Sequence, residues 1–194
     1  MLKRWIKDES GVSMVEMSII MMMLVSTTFA VTDIGYALYQ YNTAEKSMQM
    51  AVRAAVVSDP VALELANFDC TTALSPPGSW CSSASAATFG IVICTGAVKT
   101  CDGGYSFSNT AADAILAKIN TFNSSVTMDN LVFEYEDLRL SFTGRGSPVA
   151  AVTVRLVDMN FEFLFLGAFI GSTGPIAMPD FRSTLSTEDL SSTG

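Results

Sequence analysis

The chain of 194 residues contains no histidine. That removes the usual Ser-His and Cys-His pairs, in which an imidazole takes the proton of the nucleophile. Its four cysteines, Cys70, Cys81, Cys94 and Cys101, include no C-x-x-C pair, so no zinc-ligand pattern is present. No glycine-rich loop follows a strand pattern, so nothing cradles a phosphate. Bases are few: 11 Lys and Arg stand against 19 Asp and Glu, a net charge of −8. Such a balance is a poor match to nucleic acid. Asp102 beside two glycines is far short of the oxygen ligands calcium needs, and reads as a turn. Glu134 and Glu136 share one face of a strand pattern, which is the mark of a solvated sheet face. The sequence therefore offers no catalytic residue, no cofactor site and no metal site.

Charge is also missing from one long stretch. From Val12 to Thr32 the only ionisable residue is Glu16. As a helix this run is about 31 Å long, roughly one bilayer core. No proline interrupts the following residues, and Ile34, Ala37, Leu38, Tyr41, Ala44, Met48, Val52, Ala55 and Val56 recur at helical spacing. Asp59-Pro60 ends the pattern. The expectation is one rod from Gly11 to Ser58, apolar all round over 12–32 and amphipathic over 33–59. The methionines at 14, 17, 21, 22 and 23 are flexible apolar filler within it.

Lys3, Arg4 and Lys7 precede the apolar run and place that end in the cytoplasm, with the remainder outside. All four cysteines then lie in the external part, where an even count reads as two disulfides. Cys70–Cys81 and Cys94–Cys101 each close a short loop and are preferred, while the other pairings stay open.

Two processing readings compete. A signal peptide would use Ser18–Phe29 as its apolar region and be cut after Ala30, releasing a secreted disulfide-bonded binding protein or enzyme. A prepilin-type leader would occupy residues 1–11 and be cut after Gly11, retaining the apolar helix. Val12 would then carry a new α-ammonium, with Glu16 four residues away. A carboxylate at the edge of hydrocarbon is costly unless paired. The ammonium of a neighbouring subunit would pair with it and set the axial register of assembly. An uncut single-pass protein with a ligand-binding external domain is the third reading.

The segment Gly11-Val-Ser-Met-Val-Glu16, the apolar run, Asp33-Ile-Gly-Tyr-Ala-Leu-Tyr-Gln-Tyr-Asn42 and Ala51-Val-Arg-Ala-Ala55 resembles the TadE/TadG-like family. These are minor pilins or pseudopilins of the tight-adherence (Flp) pilus machinery. Met17 and Tyr36 depart from the family pattern, and a proline often found in the apolar run is missing. The resemblance implies cleavage after Gly11 by a prepilin peptidase, with Gly11, Val12 and Glu16 as the processing and assembly residues. It also implies partners among other pilin or pseudopilin subunits, the inner-membrane assembly platform and the lipid bilayer, and no enzymatic activity.

Residues 60–185 read as an external α+β domain and 186–194 as a frayed tail. Val61–Asn67 suggests one or two helical turns, and 71–88 a loop. Phe89–Cys94 and Tyr105–Ser108 suggest short strands. Ala111–Phe122 suggests a helix capped by Asn109 or Thr110, with Ala111, Ala114, Ile115, Ile119 and Phe122 near one face. Alternation over Leu131–Phe142 shifts parity at Glu136-Asp137, which predicts a β-bulge. After a turn at 143–148, a long strand is expected over Val149–Phe165. The fold class expected is α+β and pilin-like: a long N-terminal helix, packed through its Ile34–Val56 face on a small antiparallel sheet, beside a disulfide-bonded loop region. Leu164–Gly171 is apolar but too short to span a membrane, and burial against the domain is expected, with membrane or subunit contact as the sharper alternative.

Overall fold

The computed structural model describes residues 9–68, 78, 89–140, 149–161, 163–165, 167 and 176–187. The first helix, α1, is unbroken over Glu9–Val57. It begins ahead of the expected start, so Glu9, Ser10 and Gly11 are helical backbone. It stops where the sequence predicts, with Ser58 and Asp59 leading into Pro60. A 3-10 helix, Leu63–Asn67, follows.

The described residues fall into two compact units. One joins the chain up to Gln40 with Phe161–Ile176; the other joins Tyr41–Asn160 with Ala177–Gly194. In the second unit, strands β1 (Ile91–Thr95), β2 (Thr100–Cys101), β3 (Leu131–Asp137), β4 (Ala150–Leu156) and β7 (Phe181–Ser186) form an antiparallel sheet ordered β2-β1-β3-β4-β7. A short ribbon pairs β5 (Asn160–Phe161) with β6 (Ile176–Ala177). The second helix, α2, spans Asn109–Asn120.

Alternation decides which sheet face is covered. Leu131, Phe133 and Tyr135 of β3 and Val152, Val154 and Leu156 of β4 are buried, together with Val92 and Cys94 of β1. They share one core with Ala44, Met48, Ala51, Val52 and Ala55 of α1 and with Ala111, Ala112, Ile115 and Ile119 of α2. The α1 stripe follows i, i+4, i+7, i+8, i+11, the spacing of one helix face. Three of its five members are alanines, which lets the helix backbone come close to the sheet. Ser47 sits in this stripe and satisfies its hydroxyl within the helix, donating to Ala44 O at 2.7 Å. The predicted packing face was too long at its start: Ile34 and Leu38 are exposed, whereas the partly exposed Tyr41 sets its ring 5.0 Å from that of Phe181 in β7.

Four further expectations are corrected. There is no bulge at Glu136-Asp137, because β3 and β4 pair residue for residue from Leu131↔Leu156 to Asp137↔Ala150. The parity shift marks the strand end, where Asp137 Oδ1 accepts the Arg139 N–H at 2.9 Å and Arg139 takes φ 55°. Likewise the strand expected over Val149–Phe165 stops at Leu156, and Asp158 turns with φ 55°. The strand placed at Tyr105–Ser108 is an isolated bridge, Ala62↔Phe107, while the true second strand is Thr100–Cys101. The cap of α2 is Ser108, whose side chain accepts from Ala111 N–H, and Ala112 rather than Ala114 or Phe122 faces the core. The turn expected at 143–148 lies outside the described residues.

The segment after α1 is tied to the one before α2. Leu63 N–H donates to Ser106 O, and Ser108 N–H donates to Val61 O. The Glu64 carboxylate accepts the Ser106 hydroxyl at 2.6 Å and the Ser106 N–H at 2.7 Å. Those bonds, the hydroxyl first, hold its pKa below the usual 4.5. A carboxyl lowered on folding contributes stability above pH 4.5, and the contribution is lost as pH falls through the lowered folded value. Urea midpoints measured between pH 7 and pH 3 are therefore expected to fall more steeply for the native chain than for Glu64→Gln.

Candidate membrane and assembly segment

The residues of α1 from Val12 to Leu24 bury nothing. Its large apolar side chains there, among them Met14, Ile19, Ile20, Met22 and Leu24, are 57–79% exposed. An apolar surface all round a helix belongs in hydrocarbon or against other helices. Among the described residues, α1 is the one helix long and apolar enough to cross a membrane.

Five hydroxyls of this helix are satisfied by its own backbone. Ser18 donates to Val15 O, Ser26 to Met23 O, Thr27 to Leu24 O and Thr28 to Val25 O, all at 2.8–2.9 Å. Thr32 donates to Thr28 O at 2.9 Å. Hydroxyls that back-bond to the previous turn leave no unsatisfied donor toward lipid. Glu16 is different. It is exposed, and among the described residues its carboxylate has no ion-pair partner. The Gly11–Val12 peptide bond is part of the helix one turn before it.

At the other end of the apolar run stands Asp33, fully buried. Its carboxylate accepts the Leu164 N–H at 3.2 Å and the Phe165 N–H at 3.1 Å. Sequence reasoning missed this contact. The available signals were an acid closing one apolar run and a second apolar run far downstream without a polar partner of its own. Around it, Phe29 stacks on Phe165 with centroids 4.6 Å apart, and Tyr36 lies 6.1 Å from Phe161. The expected burial of Leu164–Gly171 fails at Leu164 and Phe165, which are 58% and 39% exposed.

The remaining predicted site residues lie elsewhere. Cys94 and Cys101 form a disulfide across the β1–β2 pair. Cys70 and Cys81 lie outside the described residues. Glu134 and Glu136 point away from the core on β3. Among the described residues no three Cys, Asp or Glu side chains are placed to hold a metal ion. An open groove beside α1 is lined by Tyr41, Glu45, Met48, Asp180, Arg182 and Ser183.

Residues 11–53 match the family model described as TadE-like protein. The matched stretch starts at Gly11, contains Glu16 and Asp33, and ends within the buried stripe of α1. The chain is thus similar to TadE-like proteins over the residues that bear the sequence resemblance. No curated protein and no solved structure matches the chain.

Proposed function

We propose, with the TadE-like similarity as the premise, that this chain is a membrane-anchored structural subunit of a Tad (Flp-type) pilus machinery, a minor pilin or pseudopilin rather than an enzyme. The observation that carries the reading is the uncovered apolar surface of Val12–Leu24 with one carboxylate, Glu16, set into it. The helix spans the bacterial inner membrane with its N-terminus in the cytoplasm and the domain in the periplasm, in keeping with Lys3, Arg4 and Lys7 ahead of the span. A prepilin peptidase cuts between Gly11 and Val12. The new α-ammonium of one subunit then meets Glu16 of the next. Two opposite charges in a poorly solvated bundle attract strongly and tolerate little axial slip, so the pair sets register as well as affinity. Other pilin-like subunits and the inner-membrane assembly platform are the partners.

The signal-peptide alternative cuts between Ala30 and Val31. Helix α1 runs unbroken through that bond, and the Thr32 hydroxyl reaches back across it to Thr28 O. Intact-mass measurement of the mature protein separates the readings. A chain starting at Val12 is the expected result. A start at Val31 would discard the proposal, and a retained Met1 would favour the single-pass ligand-binding reading. Glu16→Ala is expected to be cut normally yet to fail in co-isolation with pilus subunits; normal assembly of that variant would remove the register role of Glu16.

A further inference from the structure

We infer that Phe163–Phe165 is a second membrane contact, a turn that returns along α1 into the outer headgroup region of the bilayer. The inference rests on the proposed span, Val12–Thr32. Its direction is read from three pairs of contacts. Phe161 lies against Tyr36, Leu164 and Phe165 are held by Asp33, and Phe165 stacks on Phe29. As the segment advances from 161 to 165, its partners on α1 step back from 36 to 29. The chain therefore runs toward the span, and Phe165 reaches a helix residue three positions inside its Thr32 end. At 1.5 Å per residue that is about 4.5 Å, the depth of an interfacial side chain rather than of a spanning one.

The surface presented there suits lipid. Leu164 and Phe165 are exposed and apolar, and they continue the exposed apolar surface of the span. From Phe163 to Pro179 the sequence carries no charged residue; Glu162 directly precedes that stretch. Phe163 packs edge-on to Phe161 at 5.1 Å, so the aromatic rings of the turn support one another. A turn entering the interface must bring its backbone donors with it, and unpaired N–H groups are costly there. Asp33 answers that need by accepting both amides. Its carboxylate is a positioning group: it fixes the turn against the helix and spares two N–H groups from facing lipid. Continuity with the span decides for a glycerophospholipid bilayer over a partner protein as occupant.

The test uses the full chain in phosphatidylethanolamine–phosphatidylglycerol vesicles, with Trp5→Phe and Trp80→Phe removing the native tryptophans. Leu164→Trp is the reporter, and Leu24→Trp reports on the span. Lipids brominated near the glycerol or deep in the acyl chain quench tryptophan at the corresponding depth. Leu164→Trp is expected to emit at short wavelength and to lose most of its emission to shallow bromines but little to deep ones. Adding Asp33→Ala should red-shift that emission and restore it, while Leu24→Trp stays quenched. A quenched Leu24→Trp beside an unquenched Leu164→Trp overturns the inference and leaves the span intact. That includes the case in which residue 164 becomes shielded only on adding other pilus subunits. If neither reporter is quenched, the span itself is wrong and the inference falls with it.

Discussion

Tyr135→Phe is expected to lower the unfolding free energy by about 1–3 kcal/mol, the cost of leaving a buried donor unpaired. The side chain is fully buried in β3, the central strand of the five-stranded sheet. Its hydroxyl accepts the Val61 N–H at 2.9 Å, and Val61 is itself buried just after the exit of α1. No water reaches that N–H once the oxygen is gone. The phenol is held well above its usual pKa by burial, with the Val61 bond opposing weakly, so it stays neutral and the loss should not vary with pH through the physiological range. Tyr135→Ala should cost more, about 3–5 kcal/mol, because it adds a cavity to the lost bond. Against a total of about 5–15 kcal/mol, the second variant risks leaving the chain unfolded at growth temperature. Urea unfolding of the detergent-solubilised full chain, followed by near-ultraviolet circular dichroism, separates the two. A Tyr135→Phe midpoint equal to that of the native chain would show that the hydrogen bond contributes nothing.

Gly96→Ala is the second large effect. Gly96 is buried directly after β1, and its N–H donates to Leu131 O at 2.9 Å. A Cβ placed there would collide with Met128 O and would stand 3.0 Å from Leu131 O. Both obstacles are backbone atoms, and both belong to the approach to β3, so neither can swing aside as a side-chain end would. Over-packing of this kind costs about 1–3 kcal/mol, and the immovable neighbours place Gly96→Ala at the upper end. Relief requires shifting Met128–Asn130 away from β1, which weakens the Gly96–Leu131 bond as well. Thermal unfolding should show the loss, and amide exchange should show its focus at Leu131 and Val132. Native-like protection at those amides would disprove the collision.

Tyr135 shows what the sequence made legible. Alternation exposed Tyr135 as core, because a half-buried strand repeats every second residue over its length. The same holds for the stripe from Ala44 to Ala55, whose period survives any choice of exact helix ends. What failed was local and short. A parity shift at Glu136-Asp137 reads the same whether a strand bulges or ends, and only the left-handed Arg139 tells the two apart. Strand β2 has two residues, too few for a pattern, and its position follows from pairing with β1 across the Cys94–Cys101 bond. Asp33 was legible as the acid that closes an apolar run. Its partners were not, since the amides it holds lie far along the chain and a backbone N–H carries no residue signature.

The mixed order of the core has a consequence in time. Ala44–Ala55 of α1 leaves the ribosome early, whereas the strands that cover it, β3 and β4, are made in the second half of the chain. At about 5–20 residues per second, the stripe waits several seconds for its partners. Folding therefore cannot proceed from the N-terminus as each piece emerges; the first helix is synthesised first and buried last. Until β4 is complete, its apolar stripe is an uncovered, sticky surface.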